Sequence, residues 1–181
     1  TLPNPTYTYA QAGVYIVNLT VTDINGCQGY YSDTVVVDTI PIANFTATEV
    51  CHTFPTTFTD LSINTSGTII AWSWDFGDGP PPGTSILQND IYTYMDAGSY
   101  TVTLVVTDNN GCSDTWDSVI VVRPNPTAIF TADTVCDGFN TQFTDLSTIV
   151  SPLGGTITNW DWDFGDPPTN GTSSLQNPVY L

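Results

Sequence analysis

The sequence predicts an all-β protein built from small β-sandwiches in tandem, and three observations carry this prediction. Apolar and polar residues alternate with a period of two through several segments, which is typical of half-buried strands, while helical spacing is not sustained anywhere. Threonine supplies 31 of the 181 residues, and its branched Cβ favours strands. Similar motifs also return at a spacing of about 85 residues, which indicates an array of one repeating unit.

The repeating unit is defined by motif pairs with a nearly constant offset. Two pairs lie 85 residues apart: TDINGC (22–27) with TDNNGC (107–112), and EVCHTFPTTFTDLS (49–62) with TVCDGFNTQFTDLS (134–147). WSWDFGD (72–78) and WDWDFGD (160–166) lie 88 residues apart, because the loop before the second copy is three residues longer. A loop therefore absorbs the insertion while the flanking motifs stay fixed.

One complete unit occupies residues 40–123 and has the size of an immunoglobulin-like sandwich with roughly seven short strands. Its clearest strand has an apolar residue at every second position, and so does the earlier copy of that strand; these residues are Tyr100, Val102, Leu104 and Val106, and Tyr15, Val17, Leu19 and Val21. Residues 1–39 are predicted to be the C-terminal half of a preceding unit, and residues 124–181 the N-terminal half of a following one.

Composition and charge exclude several classes of partner. Lys and Arg together number 1 against 18 Asp and Glu, so the formal net charge is −17, and such a surface repels nucleic acid and anionic lipid. No run approaches the roughly 20 apolar residues of a membrane span. Few basic residues also mean few cleavage sites for trypsin-like proteases, which suits an extracellular or cell-surface location. Residues 1–10 show no signal segment, so we expect an internal or mature portion of a longer protein.

The motif SWDFGDG (73–79) raises the question of catalysis, because Asp75 and Asp78 lie among glycines as they do in metal or phosphate sites. A catalytic pair needs a third group, such as a base, an oxyanion donor or a metal ligand. No such group recurs with the motif, since the sole histidine, His52, is replaced by Asp137 in the next copy. We therefore predict no catalytic residue and no enzyme activity.

The same motif is instead predicted to be a structural corner. Alternation places Trp72, Trp74 and Phe76 on one face of a strand, so that the core takes the aromatic rings. Glycine allows the chain to reverse after the strand, and an aspartate accepts backbone amides in such a turn. The predicted turn residues of the two copies are Asp75, Gly77, Asp78, Asp163, Gly165 and Asp166.

These motifs resemble a known family. WSWDFGDG, followed by NDIYTYMDAGSYTVTLVVTDNNGC and SVIVV, resembles the PKD repeat, a β-sandwich module first described in polycystin. The versions with an early Val-Cys and a late Asn-Gly-Cys are similar to tandem repeats of secreted Bacteroidetes surface proteins. The resemblance covers the middle unit and both halves. It implies PKD-type sandwiches in an extracellular stalk, adhesin or binding module without catalytic residues of its own.

The four cysteines, Cys27, Cys51, Cys112 and Cys136, are predicted to form disulfides between repeats. Their spacing is too wide for a zinc cluster, and disulfides in an oxidising compartment are favoured. In a sandwich of this type Cys51 lies at the end nearest the next unit, whereas Cys112 lies in the last turn, at the end nearest the previous unit. The predicted partner of an early cysteine is therefore the late cysteine of the following unit. A bond between Cys51 and Cys112 is the alternative if the first strand is short.

Two sets of residues are candidates for glycosylation. Four asparagines begin Asn-x-Ser/Thr sequons: Asn18, Asn44, Asn64 and Asn170. Four hydroxyl residues lie in Asp-Ser/Thr-aliphatic segments that resemble bacterial O-glycosylation sites: Thr34, Thr39, Ser118 and Thr134. Glycans at either set would coat the array.

Ligand sites are the weaker alternatives for the remaining residues. Calcium would suit the acidic residues near the linkers, Asp38, Asp133 and Asp137, but the spacing of a calcium loop is missing, so no cofactor is expected. Exposed aromatic rings stack on sugars, and the candidates are Tyr30, Tyr31 and Trp116. Packing or covering a sheet edge is the favoured use of all three.

The two half-units have open edges and half a core, so we expect each to need completion. Either a longer array continues the chain, or the tail of one copy is completed by the head of the next. Head-to-tail contacts of the second kind do not close, so they build fibres. The predicted function is a structural extracellular fibre or stalk whose partners are neighbouring repeats or copies of itself. The alternative is an adhesin or carbohydrate-binding array, attached to a larger secreted protein, that binds extracellular polysaccharide.

Overall fold

The computed structural model describes residues 4–150, 153–167 and 171–181, and these residues form strands, turns and loops without a helix. The strands in chain order are β1 (Gly13–Thr22), β2 (Gln28–Val37), β3 (Phe45–Ala47), β4 (Pro55–Asp60), β5 (Ile69–Asp75), β6 (Thr84–Ser85), β7 (Asp90–Thr93), β8 (Gly98–Asp108), β9 (Ser113–Val122), β10 (Phe130–Ala132), β11 (Thr141–Asp145), β12 (Trp162–Asp163), β13 (Thr172–Ser173) and β14 (Val179–Tyr180). The all-β prediction is confirmed. Within the described ranges no helix has the length and apolarity to cross a membrane.

The chain folds as two compact units, which do not follow the repeat boundaries read from the motifs. One unit contains Thr1–Ala47, Thr57–Asp90 and Thr101–Val119, and the other contains Thr48–Thr56, Ile91–Tyr100 and Ile120–Leu181. The second unit therefore combines the last half-repeat with one end of the middle repeat. The predicted boundaries at residues 1–39, 40–123 and 124–181 stay a prediction.

The middle repeat, residues 40–123, carries two sheets with the strand orders β3–β4–β7 and β6–β5–β8–β9. Strand β5 is central in the second sheet, where it pairs antiparallel with both β6 and β8. The register places Trp74 opposite Ser85 on one side and opposite Leu104 on the other. The tryptophan is therefore fixed in the middle of the sheet.

An aromatic cluster joins the two sheets of the middle repeat. Phe45 and Phe58 come from the first sheet and pack on Trp74, with ring centroids 5.1 and 5.7 Å from it, while Phe58 and Phe76 lie 5.0 Å apart. All four side chains are buried. Such tilted and edge-to-face pairs add about 0.5–1.5 kcal/mol each beyond their burial. The sandwich is thus held by aromatic contacts between its layers.

Strand β8 closes the same core. Its alternate residues Val102, Leu104 and Val106 are fully buried, as their period of two predicted. Trp72 departs from the prediction that the whole aromatic face lies in the core: it is half-buried, and its indole N–H donates to the carboxylate of Asp60 at 2.8 Å. Its position near the rim of the sheet lets the N–H reach a polar partner.

The head (residues 4–39) and the tail (residues 124–181, as far as described) contain complementary sets of strands. The head contributes the hairpin β1–β2, with ten paired positions from Gly13↔Val37 to Thr22↔Gln28. The tail contributes a sheet of order β10–β11–β14 and a two-stranded sheet of β12 and β13. By the repeat offsets, the hairpin corresponds to β8–β9, and the tail strands correspond to β3 to β7.

Truncating the buried ring of Phe58 should destabilise the middle repeat strongly. We expect Phe58→Ala to lower the free energy of unfolding by about 3–5 kcal/mol, because it leaves a cavity between the two sheets. Phe58 lies beside Phe45 in the first sheet, and the counterpart of Phe45 in the tail is Phe130, which is 57% exposed. The matched variant Phe130→Ala should cost only about 1 kcal/mol. Urea unfolding followed by circular dichroism measures both, and equal losses would contradict the assignment of the core.

Candidate functional site

The Asp-Phe-Gly-Asp corner of the middle repeat uses its carboxylates to hold the backbone. Asp75 accepts the amide N–H of Gly77 at 2.8 Å, and Asp78 accepts the amide of Gly83 at 2.7 Å. The amide of Phe76 donates to the carbonyl of Gly83 at 2.9 Å, which closes the loop on the strand. Both aspartates therefore act as acceptors in a turn that follows β5.

The corner of the tail repeats this geometry. Asp163 accepts the amide of Gly165 at 2.9 Å, and Asp166 accepts the amide of Gly171 at 2.7 Å. The hydroxyl of Tyr180 donates to the second oxygen of Asp166 at 2.6 Å. The same hydrogen bonds form although Pro167 stands where the middle repeat has Gly79. The chain reverses earlier, at Gly165, so the proline does not disturb the reversal.

Gly77, the glycine at which the corner of the middle repeat reverses, is required for two separate reasons. Gly77 has φ +72° and Gly165 has φ +68°, in the left-handed region that disfavours other residues. A Cβ on Gly77 would also lie 2.2 Å from the carbonyl oxygen of Thr101 in β8, whereas a Cβ on Gly165 would meet no atom within 4 Å. The close approach to β8 is thus present in the middle repeat and missing from the tail.

A second carboxylate turn lies in the TDxNGC motif. Asp108 accepts the amides of Asn110 and Cys112, both at 2.9 Å, and Asp23 accepts the corresponding amides of Asn25 and Cys27, both at 2.8 Å. Burial opposes the ionisation of Asp108, but its hydrogen bonds to Cys112 and Asn110 prevail and lower its pKa. Sequence reasoning missed these aspartates, although the recurrence of the motif was the available signal.

The linker between the head and the middle repeat is held by side-chain hydrogen bonds. The hydroxyl of Thr39 lies 2.6 Å from that of Ser66 and donates to the Oδ1 of Asn64 at 3.3 Å. The Nδ2 of Asn64 donates to the second carboxylate oxygen of Asp108 at 2.8 Å. Both side chains are therefore engaged in the hydrogen bonds of the linker, and glycosylation at Asn64 and Thr39 stays a prediction.

The other glycosylation candidates differ in accessibility. Asn18, Asn44, Thr34 and Thr134 are exposed, Ser118 is half-buried, and Asn170 lies outside the described residues. Exposure permits modification without demonstrating it. Glycosylation at the exposed positions stays a prediction.

The four cysteines are free, and their positions rule out the bond within one repeat. Cys51 forms a parallel bridge with Arg123, just after β9, whereas Cys112 comes just before β9. Ten extended residues span about 33 Å, far beyond the α-carbon separation of about 7 Å that a disulfide allows. The alternative Cys51–Cys112 pairing is therefore wrong. The pairing between repeats stays a prediction.

The proposed ligand residues do not assemble into a site. Within the described ranges, no group of three or more His, Cys, Asp or Glu side chains could hold a metal ion. Asp133 accepts the amide of Gln142 at 2.7 Å, which leaves it engaged in the backbone of the tail. Calcium at Asp38, Asp133 and Asp137 stays an untested alternative.

The aromatic candidates for sugar binding are divided between two faces of the sheet. In the hairpin Tyr31 lies opposite Leu19, and Tyr30 lies opposite Thr20, so their side chains point in opposite directions. Trp116 corresponds to Tyr31 by the repeat offset and is 47% exposed. A shared platform of adjacent tyrosines is therefore not formed.

The fold and its corners define a tandem array of small β-sandwiches in which the motif residues shape turns. The family model of the PKD domain matches residues 1–39 and 38–123, which is more than half of the chain. The chain belongs to the PKD domain family, and the prediction of PKD-type sandwiches in tandem is confirmed. Residues 124–181 carry further copies of the same motifs.

Similar proteins contain this region as a small part of their length. The pre-pro-metalloprotease PrtV of Vibrio cholerae is 44% identical over 67 residues, which cover 36% of this chain and 7% of that protein. The dyslexia-associated protein KIAA0319-like protein of mouse is 28% identical over 153 residues, covering 77% of this chain and 14% of that protein. The crystal structure of the PKD1 domain of Vibrio anguillarum Epp is 28% identical, with a TM-score of 0.45, covering 49% of this chain and 100% of that domain.

Replacing the corner glycine tests the contact with β8. We expect Gly77→Ala to lower the free energy of unfolding by about 3 kcal/mol, because the left-handed backbone and the clash with the Thr101 carbonyl add together. Gly79 has φ +104° but open space around it. Gly79→Ala should therefore cost only about 1–2 kcal/mol. Thermal unfolding compares the two, and an equal cost would show that the close approach contributes nothing.

Acid should destabilise the tail through Asp145. Hydrogen bonds from the Ser147 hydroxyl and amide, and from Trp160 and Gln176, lower the pKa of Asp145 from 3.8 to about 2. A lowered folded-state pKa stabilises the fold above pH 3.8, and this contribution is lost as the pH falls towards 2. We expect Asp145→Asn to flatten the acid limb of a stability-against-pH curve measured by tryptophan fluorescence. An unchanged acid limb would contradict this role.

Proposed function

We propose that this chain is a structural segment of an extracellular fibre or stalk, in which PKD domains follow one another in series. The observation that carries the proposal is the use of the corner aspartates. Asp75, Asp78, Asp163 and Asp166 each accept a backbone amide, so the motif that most resembles a reactive loop serves the turn. A role in shape rather than in chemistry accounts for its recurrence.

The surface charge supports a passive extracellular role. With 18 acidic residues and a single arginine, the chain is strongly solvated and repels polyanions. Its exposed salt bridge, Arg123 to Glu49 at 3.0 Å, adds little stability. Stability then depends on the aromatic core and the backbone pairing.

The cysteines support a serial arrangement in an oxidising compartment. Cys51 lies beside Arg123, next to the linker that leads into the tail, and Cys112 lies at the opposite end of β9. Bonds between the early cysteine of one domain and the late cysteine of the next would link consecutive domains covalently. A fibre under mechanical load would gain from such links.

The alternative function is an adhesin or carbohydrate-binding array within a larger secreted protein. The observation in its favour is Trp116, a large ring that is 47% exposed on an edge strand. Tryptophan at such a position provides a stacking surface for a sugar ring. In the β1–β2 hairpin Leu19 lies opposite Tyr31, and the repeat offset of 85 residues places Trp116 opposite the fully buried Leu104, which favours its use as cover for the core.

Two measurements on the 181-residue chain separate these functions. Small-angle scattering should show an elongated particle. Its maximum dimension should increase by about 33 Å for each domain, which is the length of a ten-residue strand such as β9. The chain should show no saturable binding to a glycan array, and the Trp116→Ala variant should give the same result. Binding that is lost in Trp116→Ala, with the fold intact by circular dichroism, would replace the structural function by the carbohydrate-binding one.

A further inference from the structure

We propose that the turn at His52 and Thr53 is a pH-sensitive clasp, which holds the linker after the middle repeat at neutral pH and releases it in mild acid. The clasp is formed by residues 50–54 and by the linker residues 123–125, and both segments belong to the same compact unit. It adds a regulatory property to the chain, and its contacts do not depend on the proposed structural role.

The linker lies alongside the turn and is bonded to its backbone. The amide of Arg123 donates to the carbonyl of Val50 at 3.0 Å, and the carbonyl of Arg123 accepts the amide of His52 at 2.8 Å. These bonds accompany the parallel bridge between Cys51 and Arg123. They fix the linker as far as Arg123, so its course beyond that residue depends on the next contacts.

His52 makes the next contacts. The amide of Asn125 donates to Nδ1 of His52 at 3.3 Å, and Nδ2 of Asn125 donates to the carbonyl of His52 at 3.4 Å. Pro124 and Pro126 flank this asparagine and have no N–H, so residues 124–126 offer only the amide of Asn125 as a backbone donor. The imidazole therefore accepts the single backbone N–H that this part of the linker can donate.

Protonation of the imidazole removes this acceptor. In the neutral ring Nδ1 accepts and Nε2 carries the hydrogen, whereas in the imidazolium both nitrogens are donors. Nδ1 then presents a hydrogen to the N–H of Asn125, and the two donors repel each other. Both hydrogen bonds of Asn125 are long, at 3.3 and 3.4 Å, so the loss of one acceptor is enough to open the clasp.

The backbone beside His52 is strained, and this strain favours opening. Thr53 has φ +69°, in the left-handed region that a β-branched residue rarely adopts. Its amide donates to the carbonyl of Tyr94 at 2.9 Å, which holds the strained residue in place. The corresponding residue of the tail is Gly138, which has φ +82° at no steric cost. Strain of this kind persists only where surrounding contacts enforce it, and it clusters at switch regions.

The sequence makes His52 the group through which mild acid acts on this turn. The titratable side chains on the segments bonded to it are Glu49, Cys51, Tyr94 and Arg123. Glu49 and Arg123 pair with each other at 3.0 Å. His52 is the sole histidine of the chain, and histidine is the side chain whose charge ordinarily changes between about pH 5 and 8.

The linker before the middle repeat is held by hydroxyl groups instead. The hydroxyl oxygen of Ser66 accepts the amide of Thr39 at 3.0 Å and lies 2.6 Å from the hydroxyl of Thr39. Hydroxyl groups of serine and threonine keep the same charge throughout this pH range. Mild acid should therefore loosen one linker and leave the other held.

Nuclear magnetic relaxation of the 181-residue chain tests the clasp. The order parameter of the Asn125 backbone N–H should fall from about 0.85 at about pH 7.5 to below about 0.6 at about pH 5.5, because these are the values of rigid and flexible backbone. The imidazole signals of His52 report its protonation in the same samples. The internal control is the amide of Thr39, whose order parameter should be the same at both pH values.

Two variants separate protonation of the imidazole from other effects of acid. His52→Asn keeps an acceptor at the position of Nδ1 but does not titrate, so the Asn125 amide should stay rigid at both pH values. Thr53→Gly introduces the residue of the tail and removes the strain, so the order parameter of Asn125 should fall less than in the parent. Circular dichroism should show the same strand content in both variants as in the parent.

Three outcomes would overturn the proposed clasp: an order parameter of Asn125 that is the same at both pH values while His52 gains its proton, an imidazole that stays neutral at the lower pH, or a His52→Asn variant whose linker loosens as much as that of the parent. An equal fall in Thr53→Gly and the parent would overturn the part assigned to the strain.

Discussion

The pairing of β5 with β8 decides whether a repeat of this protein has a closed core. Where β8 is present, Trp74 lies opposite Leu104, and the carbonyl of Thr101 reaches the corner at Gly77. The aromatic cluster is then covered. In the tail the same rings adopt nearly the same geometry with one side open, as the exposure of Phe130 shows. Aromatic packing organises each half, and the strand pairing completes it.

The shortage of cations explains how the acidic residues are used. With one arginine in 181 residues, carboxylates have few opposite charges to pair with. Asp75, Asp108 and Asp145 accept backbone amides, hydroxyls or indole N–H groups instead. The bonds of Asp75 and of Asp108 to Cys112 lie within short local turns, whereas Trp160 reaches Asp145 from 15 residues away. Residues that suggest chemistry in the sequence thus serve the conformation of the loops.

The three parts of the chain differ in how completely they form the domain. The middle repeat is complete in itself, whereas the head and the tail hold the two complementary halves of the same domain. In the tail the aromatic rings pack on one another while Phe130 is 57% exposed, because the strands that cover the corresponding ring in the middle repeat belong to the other half of the domain.

The sequence by itself determined the strands, the array and the corner, because these depend on short-range features. Alternation with a period of two predicted the buried face of β8, and the recurrence of Asp-Phe-Gly-Asp predicted a turn with glycine at its reversal. The tertiary structure alone decided contacts between residues far apart in the chain. It placed Trp72 at the rim with Asp60, engaged Thr39 and Asn64 in the linker, and separated Cys51 from Cys112 by the length of β9. Such partners depend on the register between distant strands, which local patterns do not fix.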